Sequence, residues 1–107
     1  TDVAELKDGA IRQFSVSPEE FGFKRSSLDS LKAADADESL TIVRSVLEDK
    51  SGAARDIVCL NAGAAIYAAG VAETLKEGVE KADAAISSGE AHKKLDQLVV
   101  LTQSFED

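Results

Sequence analysis

Methionine and tryptophan are absent from this sequence, and cysteine, histidine, proline and tyrosine occur once each. The single thiol, Cys59, cannot close an internal disulfide, so the expected setting is the cytoplasm and the thiol is expected to be buried among Ile57, Val58 and Leu60. The single histidine, His92, stands beside Lys93 and Lys94 with no second metal ligand read at helical spacing, and reads as a solvated surface side chain rather than a catalytic base. Basic residues are scarce as well, 12 against 20 acidic ones, for a net charge of -8. Such a field repels phosphate backbones and anionic lipid, so neither nucleic acid nor a membrane surface is an expected partner. The seven glycines stand at 9, 22, 52, 63, 70, 78 and 89, no two closer than seven residues. A loop that cradles phosphate needs clustered glycines so that successive N–H groups face the anion, and this chain has none. Its longest apolar stretch, residues 57–70, contains Asn61 and is too short to span a bilayer.

What is present suits a folded chain. Hydrophobic residues make up 44% and charged residues 30% of 107 residues, an ordinary balance for one small domain. Val3 to Leu6 and Ile11 to Val16 read as two short strands. Asp8-Gly9 between them supplies the positive φ angles of a tight hairpin turn. Pro18 stops the second strand, since it has no N–H to give to a ladder. Phe21 and Phe23 around Gly22 predict a loop that tucks two rings into a core, and Ser26, Ser27 and Ser30 fit a connecting segment.

Four helices are expected after that loop. The first, residues 36–49, opens with Asp35 and Glu38 in a capping-box spacing and turns Leu40, Ile42, Val43, Val46 and Leu47 to one side. Thr41, Arg44, Ser45 and Glu48 fall on its wet side. The second, residues 53–69, is apolar all round after Arg55 and Asp56, which predicts burial on every side. Gly63 there lets a neighbouring helix approach closely, and Gly70 ends the helix in the left-handed conformation. The third, residues 75–87, starts from a second capping box, Thr74 with Glu77, and carries a seam of Leu75, Val79, Ala82 and Ile86. Glu77 and Lys81 are placed to pair on its wet side. The fourth, residues 90–105, turns Ala91, Leu95, Leu98, Val99, Thr102 and Phe105 inward.

No constellation of catalytic side chains emerges, so catalytic, cofactor-binding and metal-binding residues are all expected to be none. The adjacent acids Glu19-Glu20, Asp37-Glu38, Glu48-Asp49 and Glu106-Asp107 diverge by roughly 100° on a helix and read as helix-end electrostatics. Asn61 stands out among apolar neighbours. A buried amide needs partners, and the reading is a bond to the backbone of a neighbouring loop, with a ligand contact as the alternative. Arg55 and Asp56 read as structural pairing groups.

The run from Ala54 to Tyr67 (ARDIVCLNAGAAIY) closely resembles the alanine-rich helix near the C-terminus of anthranilate phosphoribosyltransferases. Val3 to Gly9 followed by Ser17 to Phe23 resembles that family's hairpin and the loop after it. Leu75 to Val79, Ala85 to Gly89 and Lys94 to Leu98 resemble its last helices, in the same order. The resemblance implies an α/β catalytic domain of the nucleoside phosphorylase and phosphoribosyltransferase type, of which this segment is a β-hairpin followed by four α-helices. Residues 1–107 are then the C-terminal portion of one incomplete domain, divided into hairpin (1–17), loop (18–35) and helical part (36–107).

The implied reaction transfers phosphoribose from phosphoribosyl pyrophosphate to anthranilate in tryptophan biosynthesis, with magnesium (Mg) on the diphosphate and a cytoplasmic homodimer as the working form. The glycine-rich loop, the anthranilate contacts and the acidic metal-binding pair of that family precede the segment matched here, so no catalytic residue carries over and the segment alone is expected to be inactive. The chain opens at Thr1 almost inside a strand-like run, as removal of an initiator Met or cleavage from something longer would leave it. So much helix on so little sheet fits a truncated α/β domain, whose exposed core is expected to drive self-association. The alternatives are a related phosphoribosyltransferase or nucleoside phosphorylase, and a stand-alone helical interaction module.

Overall fold

The structure is a computed structural model that describes residues 1–26 and 28–105; Ser27 of the connecting segment and the acidic pair Glu106-Asp107 lie outside the described residues. The chain begins with a hairpin of β1 (Asp2–Lys7) and β2 (Ala10–Ser15), antiparallel and in register from Asp2 opposite Ser15 to Lys7 opposite Ala10. Two residues make the turn, Asp8 at φ 52° and Gly9 at φ 79°. Positive φ at both positions matches the twist of the strands, which is why Asp-Gly serves here. Beyond the strands, the Thr1 and Val16 backbones bond to each other in both directions at 2.8 Å.

The segment expected to be irregular holds two short 3-10 helices, Pro18–Phe21 and Leu28–Leu31. Pro18 starts the first, and the Ser17 N–H donates to the Glu20 carboxylate at 2.6 Å. The Phe23 N–H then reaches back to the Pro18 carbonyl at 3.0 Å. This tight closure sets Phe21 and Phe23 against the helical core, as their spacing around Gly22 predicts.

Four helices follow: α1 (Ala36–Leu47), α2 (Ala53–Ala68), α3 (Leu75–Ser87) and α4 (Glu90–Gln103). The Asp35 and Thr74 side chains accept from the N–H groups of Glu38 at 2.8 Å and Glu77 at 3.1 Å. The return bonds of Glu38 and Glu77 land one residue earlier than in a standard capping box, on the N–H groups of Ala34 and Glu73. Glu77 is thereby turned away from Lys81, and the expected ion pair between them does not form. At the end of α2, Gly70 (φ 78°) donates to Tyr67 and Val71 donates to Ile66, which closes the helix as expected.

The core lies where α1, α2 and α3 meet, with Val46, Cys59, Val79 and Ile86 at its centre and Phe21, Phe23, Leu60 and Ala91 packed on it. Helices α2 and α3 cross backbone to backbone, because Gly63 and Gly78 face each other. A Cβ on Gly63 would lie 2.6 Å from the backbone N and Cα of Val79. Of the seam expected on α3, Val79, Ala82 and Ile86 are buried and Leu75 is half-buried, while Gly78 joins the buried face.

Three expectations about burial need correction. Helix α2 is not buried all round: Cys59 and Gly63 face α3 and are buried, whereas Ile57, Val58, Asn61, Ala64 and Ala65 are exposed. Helices α1 and α3 cover one side of α2, and an open groove runs along another. On α1, only Val46 is fully buried; Leu40 and Val43 are exposed, and Ser45, assigned to the wet side, is half-buried with its hydroxyl donating to the Ile42 carbonyl. On α4 the inward face ends at Leu95, and Leu98, Val99, Val100 and Leu101 are exposed; the helix stops at Gln103, short of the expected 105, and Phe105 beyond it is exposed as well. The molecule is consequently elongated, 50 × 30 × 24 Å with a radius of gyration of 15.9 Å. A compact chain of this size would measure about 13 Å.

Candidate functional site

A groove of about 1110 Å³ separates the hairpin from the uncovered face of α2. One wall is β1 with Phe14 of β2; the other is Ile57, Leu60, Asn61, Ala64 and Tyr67 of α2. At one end the Lys7 ammonium stands 5.6 Å from the centre of the Tyr67 ring, a cation–π contact that joins the walls. Along the hairpin, Glu5 pairs with Arg12 at 3.5 Å, and the Arg12 guanidinium lies 4.9 Å from the Phe14 ring centre.

Asn61 sits on this groove wall, exposed rather than buried, and its amide makes no hydrogen bond among the described residues. The expected tie to a neighbouring loop is therefore not made within this chain. The amide faces the groove, beside Ile57, Leu60 and Ala64.

Below α2 lies a second polar arrangement, around Arg55. Its Nε bonds to Asp49 Oδ1 at 2.8 Å and its Nη1 to Asp83 Oδ1 at 2.7 Å, with the side chain only 12% exposed. The same Nη1 lies 3.7 Å from Cys59 Sγ. Arg55 thus fastens the turn after α1 and the middle of α3 to the start of α2. Asp49 holds φ 65°, a conformation usually left to Gly or Asn, and the bond to Arg55 fixes its carboxylate there. The hydrogen bond that Arg55 donates to the Asp83 carboxylate raises the Arg55 pKa further, so this cation stays charged at any working pH. The sequence expectation that Arg55 pairs structurally is met; Asp56 instead faces the groove.

Burial pushes the Cys59 thiol above its ordinary value, and the nearby Arg55 charge only partly opposes that. The folded state then holds the thiol proton more tightly than the unfolded state. Stability is fully present below the ordinary thiol pKa and falls as pH rises through the folded value. We expect Cys59 to react with a thiol reagent in denaturant and to be protected without it, and Cys59→Ala to flatten the alkaline loss of stability. Rapid native labelling at neutral pH would contradict this burial.

His92 has a partner that the spacing already held: its Nδ1 lies 3.3 Å from Asp96 Oδ2, one helical turn on. Among the described residues no three His, Cys, Asp or Glu side chains gather in a way that holds a metal ion. No described helix is long and apolar enough to cross a membrane.

Residues 1–92 match a family described as "Glycosyl transferase family, a/b domain". The chain belongs to that glycosyl transferase family. Among curated proteins, the anthranilate phosphoribosyltransferase of Polynucleobacter necessarius subsp. necessarius (strain STIR1) is 50% identical over 104 residues, 97% of this chain and 30% of that protein. The anthranilate phosphoribosyltransferase of Marinomonas sp. (strain MWYL1) is 50% identical over 107 residues, 98% of this chain and 31% of its own length. Among solved structures, anthranilate phosphoribosyltransferase (TrpD) from Thermus thermophilus superposes with a TM-score of 0.77 at 39% identity, covering 82% of this chain and 27% of that one. This glycosyl transferase segment therefore spans about 30% of the length of the curated relatives it matches. Its hairpin and four helices are part of an α/β fold of the phosphoribosyltransferase type.

Proposed function

We propose that the chain is the C-terminal part of an anthranilate phosphoribosyltransferase, and that it supplies the helical layer and a hairpin to a catalytic domain whose chemistry lies elsewhere. The observation that carries this reading is identity of about one residue in two, along almost the whole segment, to enzymes of that name. The reaction of the whole enzyme is displacement at the ribose: the anthranilate amine nitrogen bonds to C1 of phosphoribosyl pyrophosphate, the C1–O bond to pyrophosphate breaks, and the amine loses a proton. Magnesium, a homodimeric assembly and a cytoplasmic setting belong to the same proposal. The described residues bring together no ligand set that fits magnesium, so no step of the reaction is assigned to side chains of this chain. The open groove and the unpartnered Asn61 support the reading, since both suit a chain whose packing is completed by other residues of the enzyme.

A chimera tests it. Substituting this chain for the matched 104 residues of the Polynucleobacter necessarius protein is expected to yield an enzyme that forms phosphoribosyl anthranilate. The isolated chain is expected to bind neither anthranilate nor magnesium-loaded phosphoribosyl pyrophosphate in titration calorimetry. A folded chimera with no activity, or saturable one-to-one binding by the isolated chain, would sink the assignment.

A further inference from the structure

We draw no further inference here: the strongest candidate, the apolar surface at the C-terminal end of α4 formed by Leu98, Val99, Val100 and Leu101 with Phe105 just beyond it, is an unpartnered helix face, and nothing in the structure shows what covers it.

Discussion

A methyl group on Gly63 or Gly78 is expected to force α2 and α3 apart. At Gly63 the added Cβ would sit 2.6 Å from the Val79 N and Cα, atoms of a helix backbone that no rotamer change can move. At Gly78 it would meet the Gly63 carbonyl oxygen and, at 3.1 Å, the carbonyl carbon. The helices must then separate, and the contacts of Cys59, Val79, Ala82 and Ile86 loosen together. Replacing a helical glycine by alanine ordinarily stabilises by about 0.5–1 kcal/mol. Overpacking costs about 1–3 kcal/mol or more where the obstacle is rigid, so the net change is destabilising. For a domain with about 5–15 kcal/mol in total, each alanine should lower the denaturation midpoint clearly, and valine at Gly63 should abolish the cooperative transition. Urea unfolding followed by far-UV circular dichroism is the measurement. A midpoint that stays put or rises in Gly63→Ala would mean that α2 and α3 do not approach this closely.

Gly63 also marks where the sequence was informative and where it stopped. Small residues on α2 signalled a close helix neighbour, but which helix, and that Gly78 would face it, depends on how α3 returns after the Gly70 turn. Local chemistry was legible: Asp8-Gly9, the caps at Asp35 and Thr74, Gly70, and the α3 seam all follow from interactions within a few residues. Burial was less so. The apolar circumference of α2 predicts a neighbour on every side, whereas the described residues bury Cys59 and Gly63 and leave Ile57, Val58, Ala64 and Ala65 exposed. Exposed Leu98, Val99, Val100 and Leu101 on α4 teach the same lesson, since a hydrophobic pattern says that a face is to be covered but not by which residues. The His92–Asp96 contact follows from i,i+4 spacing alone. For Arg55, charge type suggested pairing, but Asp49 and Asp83 are its partners only because three helices converge there.

The isolated chain is expected to self-associate. Ile57 and Val58 on α2 are more than a third exposed, Leu6 and Ile11 on the hairpin nearly three-quarters, and Leu98 and Leu101 on α4, with Phe105 just beyond it, more than half. Beside them runs the free edge of β1, whose Ala4 and Leu6 main-chain groups can bond to any extended segment of suitable register. Burying a patch of even ~400 Å² contributes on the order of 10 kcal/mol before the entropy of association is subtracted. The opposing term is the net charge of -8 on every copy. Charge repulsion between exposed groups is screened over about 8 Å at physiological ionic strength, while apolar burial is not weakened by salt. Association should therefore strengthen from low to moderate salt, the reverse of what a charge-driven contact would do. Sedimentation velocity over a range of concentrations at two ionic strengths measures both effects. With the α2 face and the hairpin edge as the contact, Ile57→Glu should shift the distribution toward monomer, because it places a charge where copies would otherwise bury an apolar wall. A clean monomer of the unsubstituted chain at high concentration and moderate salt would show that these residues close their own core, and that the groove beside α2 needs no partner to be stable in water.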